Sequence, residues 1–189
     1  MDRRQFLKTG LGLGVAAGSM LLPAGFMDQA QAAEVGFDLT QGSRVLKLYR
    51  PRTKETLHLE YMRNGVWQNS AYNYICWLLR DVQANQHVRM DTRLIAIMDW
   101  TQHFLAQYGY DGPLHILSGY RSPKTNARIE GAAKNSQHMY GRAIDIRIPG
   151  ISTEYLGRLY GWLSQGGVGI YHDDGFVHVD TGRVRAWRG

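Results

Sequence analysis

Two segments in the second half of the chain alternate apolar residues with ligand-forming ones, and this constrains the fold more than any other feature. The first segment ends in Ala143-Ile144-Asp145-Ile146, and the second is Phe176-Val177-His178-Val179-Asp180. Because alternate residues of a strand share a face, Asp145 and His178 point away from the apolar positions of their own strands. If the strands are neighbours, these side chains converge, and His138 reaches them from the loop that enters the first strand. On that condition, the pattern predicts a metal site carried by the two strands.

The ligand types indicate a catalytic rather than a structural metal. Catalytic zinc usually takes three protein ligands and keeps a fourth position for water, whereas structural zinc is typically closed by four ligands rich in cysteine. The chain has one cysteine, Cys76, which we interpret as a small buried apolar residue. Histidine and aspartate on strands are also common as ordinary hydrogen-bonded groups, so a protein without any metal is the alternative.

The first 32 residues have the features of an export signal. The pair Arg3-Arg4 precedes an apolar run from Leu11 to Leu22 and the small-residue pattern Ala30-Gln31-Ala32, which is typical of a cleaved twin-arginine signal peptide. The apolar run is shorter than the roughly 20 residues that a membrane span needs. We therefore predict export by the twin-arginine machinery to the periplasm, no stable membrane insertion after cleavage, and a single domain over residues 33–189.

The charge balance bears on the partner. The formal net charge is +6 at pH 7, and basic proteins often bind nucleic acid. An exported protein instead meets anionic envelope polymers or peptides with free carboxylates. The positive charges are also scattered, so a plain solvated surface is an equally good explanation. We expect no nucleic-acid partner.

The periodicity indicates an α+β fold in which helices pack on a small antiparallel sheet. Residues 45–49 and 56–61 alternate in character and predict a β-hairpin. Residues 72–82 and 91–108 have helical apolar spacing, the second behind an N-cap at Asp91. A further helix over 153–164 is capped by Ser152 and stopped by Gly166-Gly167. Short apolar runs at 115–117, 143–146 and 176–179 predict strands that lead into the loops of the site.

Three motifs resemble a known group of peptidases. Residues 136–145, Ser136 to Asp145, match the SxHxxGxAxD pattern of zinc D-alanyl-D-alanine carboxypeptidases and L-alanoyl-D-glutamate endopeptidases, whose fold is shared with the hedgehog signalling domain. Residues 118–122 resemble the SGYRS segment of that group. From the predicted hairpin to the closing His178-Val179-Asp180-Thr181-Gly182, the chain resembles the twin-arginine-exported murein endopeptidase K family. The resemblance implies hydrolysis of peptide cross-links in peptidoglycan, with a preference for bonds between two meso-diaminopimelate residues.

The same resemblance implies roles for individual residues. It makes His138, Asp145 and His178 the zinc ligands, in agreement with the strand argument. Bound zinc would lower the pKa of water from about 15.7 toward 7 and polarise the scissile carbonyl. Arg121, in the SGYRS segment, would stabilise the oxyanion or hold a substrate carboxylate with its planar guanidinium. The alternative role for Arg121 is a surface ion pair.

The general base has two equal candidates. His172 lies six positions before His178, where a base is expected in a hedgehog-like arrangement, and its ordinary pKa of about 6.5 suits proton transfer. Asp180 shares the ligand face of its strand, and its alternative role is to orient a metal-bound imidazole.

Ser136 and Tyr120 are candidates for substrate binding. Ser136 either hydrogen-bonds the substrate or caps local backbone. Tyr120 lines a substrate cleft, together with Tyr140 and Tyr171, or packs within the protein. Two other classes of function stay open. A zinc-containing but non-catalytic module that binds peptidoglycan or a protein is favoured by the absence of a glutamate before His178, and a structural envelope protein would hold no metal at all.

Overall fold

The computed structural model describes residues 42–189. The predicted signal peptide and the boundary after Ala32 lie outside the described residues. None of the helices within 42–189 combines the length and the apolar character needed to cross a membrane.

The centre of the fold is a mixed sheet of eight strands. The strands are β1 (Arg44–Arg50), β2 (Glu55–Arg63), β3 (Val66–Trp67), β4 (Leu114–Ser118), β5 (Ala143–Arg147), β6 (Gly167–Tyr171), β7 (Phe176–Asp180) and β8 (Arg185–Arg188). Their order across the sheet is β3-β2-β1-β4-β5-β7-β6-β8. The α+β class and the first hairpin are confirmed. The expectation of a small, purely antiparallel sheet is wrong, because β1 pairs with β4 and β6 with β8 in parallel.

Four α-helices and one 3-10 helix connect these strands in the described part of the chain. They are α1 (Asn69–Leu78), α2 (Thr92–Ala106), α3 (Pro123–Asn126), the 3-10 helix (Gln137–Tyr140) and α4 (Thr153–Leu163). The predicted caps are present, since Asp91 accepts a hydrogen bond from the backbone of Arg93 at 2.9 Å and Ser152 accepts one from Tyr155 at 3.2 Å.

Two helix ends differ from the prediction. Helix α1 stops at Leu78 because the carboxylate of Asp81 accepts hydrogen bonds from the backbone of Gln83 and Ala84, which turns the chain. Helix α4 ends at Leu163, and Ser164, which caps it, takes the left-handed conformation at φ 55°. The glycines predicted as its stop lie beyond the helix, and Gly167 begins strand β6.

The hydrophobic core fills the space between the helices and one face of the sheet. It includes residues from the middle strands and from α1, α2 and α4, among them Leu46, Leu48, Ile75, Leu94, Met98, Ile116, Ile144, Ile146, Leu159, Val177 and Val179. Cys76 is buried in it, as predicted. Since Ile144, Ile146, Val177 and Val179 occupy the core side of β5 and β7, the residues between them face the other side.

Candidate metal centre

The strand register brings the predicted ligands together. Strands β5 and β7 are antiparallel neighbours, and Asp145 lies directly opposite His178. The same row continues to Ser118 of β4 on one side and to Gly169 of β6 and Trp187 of β8 on the other. Residues paired across a sheet project from the same face. The two strands are therefore neighbours, as the convergence of Asp145 and His178 required, and the row defines the face on which the site lies.

The third side chain comes from the 3-10 helix rather than from an open loop. His138 lies inside this helix, which ends at Gly141 in the left-handed conformation at φ 66°. A β-carbon at Gly141 would lie 2.8 Å from the carbonyl oxygen of Arg89. Glycine is required there on both counts, because the chain must turn sharply and close to its neighbour before β5 begins. This turn directs His138 towards Asp145.

Three potential ligand atoms meet in a small triangle. Nε2 of His138 lies 3.2 Å from Oδ1 of Asp145 and 3.1 Å from Nδ1 of His178, and that Nδ1 lies 3.1 Å from the same carboxylate oxygen. All three residues are buried, with exposed fractions of 1% for His138, 4% for Asp145 and 8% for His178. These three residues could hold a metal ion, and we call this candidate site the metal centre.

The outer nitrogens of the two rings fix which atoms face inward. Nδ1 of His138 lies 2.6 Å from the carbonyl oxygen of Gly119, which can only accept, so this nitrogen carries the proton. Nε2 of His178 lies 3.0 Å from the carboxylate of Asp180 and donates to it. Neutral rings held in this way direct two nitrogen lone pairs at each other and at a carboxylate oxygen. Three acceptors at such distances repel one another unless a positive charge lies between them.

The donor set fits a divalent metal of the zinc type. Two imidazole nitrogens and one carboxylate oxygen are ligands that zinc takes, and three protein ligands leave a position for water. Imidazoles whose second nitrogen donates to a carbonyl or a carboxylate are the usual arrangement around zinc.

The electrostatics of the ligands agree with a site built for a cation. Burial lowers the pKa of His138, so this ring stays neutral and able to bind a metal. Burial acts to raise the pKa of Asp145, but the neighbouring His138, His178 and Arg121 lower it well below its usual range, and Asp145 stays ionised. For His178 burial again acts to lower the pKa, while Asp145 and Asp180 together raise it. A proton and a metal ion would thus compete for the lone pair on Nδ1 of His178.

Arg121 contacts the outer side of the metal centre. Its Nη2 donates to Oδ2 of Asp145, and its Nε donates to the hydroxyl of Ser118 at 2.8 Å. Its backbone N–H donates to the carbonyl of His138 at 3.3 Å. The structure thus places this sequence-predicted residue beside a ligand, with 16% of its side chain exposed.

Asp180 lies behind His178 rather than in front of it. It is fully buried, and Oδ2 accepts hydrogen bonds from His178 and from Nη2 of Arg185 at 2.7 Å. Oδ1 accepts from the backbone of Gly182 at 2.8 Å and from Nη1 of Arg185 at 3.1 Å. Burial acts to raise the pKa of Asp180, but the hydrogen bonds from His178 and Arg185 lower it below its usual range. Both oxygens are therefore already engaged as acceptors.

His172 contacts a different set of residues. Its Nε2 lies 3.0 Å from Glu154 and 2.9 Å from Nη1 of Arg188, and 44% of its side chain is exposed. Glu154 lies in the first turn of α4 and also accepts hydrogen bonds from Arg158 and Arg188. The metal centre and this surface cluster of Glu154, Arg158, His172 and Arg188 are thus separate groups.

The two residues predicted to bind substrate are near the centre in different ways. Ser136 is buried immediately before the 3-10 helix, and its hydroxyl does not cap that helix. Tyr120 packs against the hydrophobic core, and its backbone N–H donates to the carbonyl of Leu79 at 2.7 Å.

Three parts of the site were not predicted from the sequence. The carbonyl of Gly119 has no signature in the sequence, because any residue presents a carbonyl. Arg185 and Trp187 lie on β8, which was not predicted. Their spacing of two along a strand-forming segment is the signal that could have placed both on one face.

Comparison with known proteins identifies the family of this chain. The family described as peptidoglycan L,D-endopeptidase MepK matches residues 38–187. A probable peptidoglycan L,D-endopeptidase MepK of Haemophilus influenzae is 32% identical over 192 residues, which cover 100% of this chain and 96% of that protein. The peptidoglycan L,D-endopeptidase MepK of Escherichia coli K12 is 32% identical over 190 residues, covering 98% and 97%. The resemblance to murein endopeptidase K is confirmed, and the chain belongs to the peptidoglycan L,D-endopeptidase MepK family.

Proposed function

We propose that this protein is a zinc-dependent endopeptidase that hydrolyses peptide cross-links in peptidoglycan. The observation that carries the proposal is the buried triangle of His138, Asp145 and His178, in which three acceptor atoms face one another at 3.1 to 3.2 Å. Relatives named as peptidoglycan L,D-endopeptidases, at 32% identity over almost the whole chain, support the substrate class.

His138, Asp145 and His178 would hold the zinc through Nε2, Oδ1 and Nδ1. When bound, zinc supplies a Lewis acid for the scissile carbonyl and lowers the pKa of water so that it can attack at neutral pH. The chain's contribution is to fix the three ligands, because Gly119 and Asp180 hold the two rings in a single tautomer and orientation.

Arg121 is proposed to stabilise the charge that develops on the scissile carbonyl oxygen, or to bind a substrate carboxylate. Within residues 42–189 its Nε donates a hydrogen bond to Ser118 and its Nη2 donates one to Asp145. Its Nη1 is then the nitrogen that can donate to a substrate oxygen. A guanidinium fixed in this way is already oriented before the substrate arrives, and such fixed donors give the largest electrostatic stabilisation of a transition state.

Asp180 is proposed to orient His178. Its two oxygens already accept from His178, Arg185 and backbone, and this geometry supports orientation over proton transfer. The base role of His172 stays a prediction that its contacts with Glu154 and Arg188 do not favour. Ser136 and Tyr120 stay predicted substrate contacts. Ser136 is buried and Tyr120 is partly buried, so a substrate group must reach below the surface to contact Ser136.

The preferred bond rests on the family resemblance, whereas the export signal, the domain bounds and the class of partner rest on the sequence itself. We propose bonds between two meso-diaminopimelate residues as the preferred cross-link. We also propose that residues 1–32 are a twin-arginine signal, that residues 33–189 are a single domain released in the periplasm without stable membrane insertion, and that nucleic acid is not a partner. The free carboxylates of cross-link peptides suit a basic protein.

The test is digestion of purified sacculi and defined cross-linked muropeptides by residues 33–189, with zinc, with a chelator, and with His138→Ala in parallel. We expect zinc-dependent conversion of cross-linked dimers to monomers, with the broken bond identified by mass. Stoichiometric bound zinc without any cleavage would contradict the enzyme and support the non-catalytic module instead.

A further inference from the structure

Trp187 lies beside the metal centre at the end of the sheet. Strand β8 pairs in parallel with β6, where Trp187 is opposite Gly169, and Gly169 is opposite His178 of β7. The indole and the ring of His178 have centroids 5.3 Å apart at an angle of 48°. Trp187 thus occupies the same face as the ligands and borders the centre on the side away from Arg121.

Gly169 makes this contact possible. A β-carbon at position 169 would lie 2.6 Å from Cζ2 and 2.8 Å from Nε1 of Trp187, closer than real β-carbons approach other atoms. The indole therefore lies across β6, over the backbone of Gly169, and reaches the ring of His178. Glycine is required here for space and not for its backbone angles.

Two further contacts hold the indole in its orientation. Its Nε1–H donates to the hydroxyl of Tyr171 at 3.0 Å, and Tyr171 is itself stacked on Phe176 at 4.6 Å and 13°. The guanidinium of Arg185 lies 4.9 Å from the centre of the indole, and the same Arg185 pairs with Asp180.

The hydrophobic core does not account for this arrangement. Within residues 42–189, Trp67, Trp100 and Trp162 pack against the core cluster, whereas Trp187, Tyr171 and Phe176 lie outside it. Trp187 remains partly exposed. A fixed, partly exposed aromatic face next to a ligand is the kind of apolar surface that lines binding sites.

We propose that Trp187 is a substrate-positioning residue that forms one wall of the cleft and contacts the methylene chain of a diamino-acid side chain in the cross-link. This inference rests on the proposed function. The side chain of such a residue is a short apolar chain that runs from the peptide backbone to a charged end, and a flat indole suits the chain while the charged end stays in water. The contact would hold the scissile bond at the metal centre.

Binding is tested by fluorine NMR on the whole protein with 5-fluorotryptophan in place of its five tryptophans. The probe is a diaminopimelate cross-link in which a methylene-amine replaces the scissile amide, and Trp187→Phe identifies the signal. We expect this probe to shift the signal of Trp187 and to leave that of Trp162 in place. An unmoved Trp187 signal at saturating probe would overturn the inference.

Kinetics separate positioning from support of His178. We expect Trp187→Ala to raise KM about tenfold with kcat changed less than about threefold, and zinc content to stay stoichiometric. Trp77→Ala is the matched control, because Trp77 is 39% exposed on α1. An unchanged KM with lost zinc would instead assign Trp187 to support of the ligand.

The two proposals fail separately. If the wild type cleaves the cross-link but the Trp187 signal does not move, the proposed substrate contact of Trp187 is wrong and the proposed hydrolysis stands. If the Trp187 signal shifts but the wild type cleaves no cross-link, the proposed substrate contact is supported and the proposed hydrolysis is wrong.

Discussion

The metal centre with Arg121 and the surface cluster both combine histidine, carboxylate and arginine, and they differ in how their charges are balanced. In the surface cluster, Glu154 accepts hydrogen bonds from Arg188, Arg158 and His172, and these contacts, that of Arg188 foremost, lower its pKa to about 2. The carboxylate of Glu154 thus accepts hydrogen bonds from three side chains at an exposed site. Ion pairs of this kind contribute about 0 to 1 kcal/mol each.

The metal centre has the opposite balance. Asp145 has one guanidinium partner, Arg121, but its inner oxygen faces two imidazole nitrogens whose protons are committed elsewhere. The centre is buried, where uncompensated acceptors are costly. The two groups contain the same residue types. A candidate metal site differs from a surface ion pair in whether the ring N–H groups point away from the shared carboxylate, and in how deeply the group is buried.

The largest effect is expected from removing a ligand. His138→Ala should lose stoichiometric zinc and lower kcat/KM by about a thousandfold or more, because several kcal/mol of charge stabilisation are lost with the metal. Metal analysis and muropeptide digestion measure both. His58→Ala, which removes an exposed imidazole from β2, is the control and should leave both unchanged. Full zinc content in His138→Ala would contradict the assigned ligand.

The next effect is expected from Arg121→Lys. A lysine keeps the charge but cannot donate hydrogen bonds to Ser118, Asp145 and a substrate oxygen at the same time. We therefore expect kcat to fall about a hundredfold while zinc is retained. Arg128→Lys, at an exposed position after α3, is the matched control. If Arg121→Lys retained full kcat, Arg121 would be an ion-pair partner of Asp145 alone.

Asp180→Asn distinguishes the two roles considered for this residue. As the orienting partner of His178, its loss should weaken zinc affinity about 10- to 100-fold, measured by competition with a chelator. Asp173→Asn changes an exposed carboxylate in the turn between β6 and β7 and should have no such effect. Unchanged zinc affinity with abolished turnover would instead support Asp180 as the base.

The smallest effect is expected from His172→Gln. Because its partners are Glu154 and Arg188 on the surface, kcat should change by less than about twofold. A loss of about a hundredfold at full zinc content would return His172 to the role of base and erase the distinction between the two groups.

The sequence was sufficient for the parts of the site that follow from strand geometry. The alternation around Asp145 and His178 predicted which residues share a face, because a period of two leaves little freedom. That the two strands are neighbours was a condition of the prediction, and the structure meets it. The position of His138 also followed, since Gly141 and the short distance to β5 limit where this residue can lie.

Other parts depend on long-range contacts that local patterns do not encode. The parallel pairing of β1 with β4 and of β6 with β8 is decided by how the chain crosses the fold, and short segments such as residues 115–117 do not specify it. Six positions separate His172 from His178, and this spacing did not reveal that Glu154, on a helix, would bind His172 at the surface. The support that Gly119 gives to His138 depends only on backbone position.

The most direct measurement is a crystal structure of residues 33–189 grown with zinc, with anomalous scattering recorded on both sides of the zinc absorption edge. We predict one strong site bound by Nε2 of His138, Nδ1 of His178 and Oδ1 of Asp145, at about 2.0 to 2.2 Å from each. Zinc bound through the outer nitrogens, zinc at the surface cluster instead, or no zinc at all would contradict the metal centre.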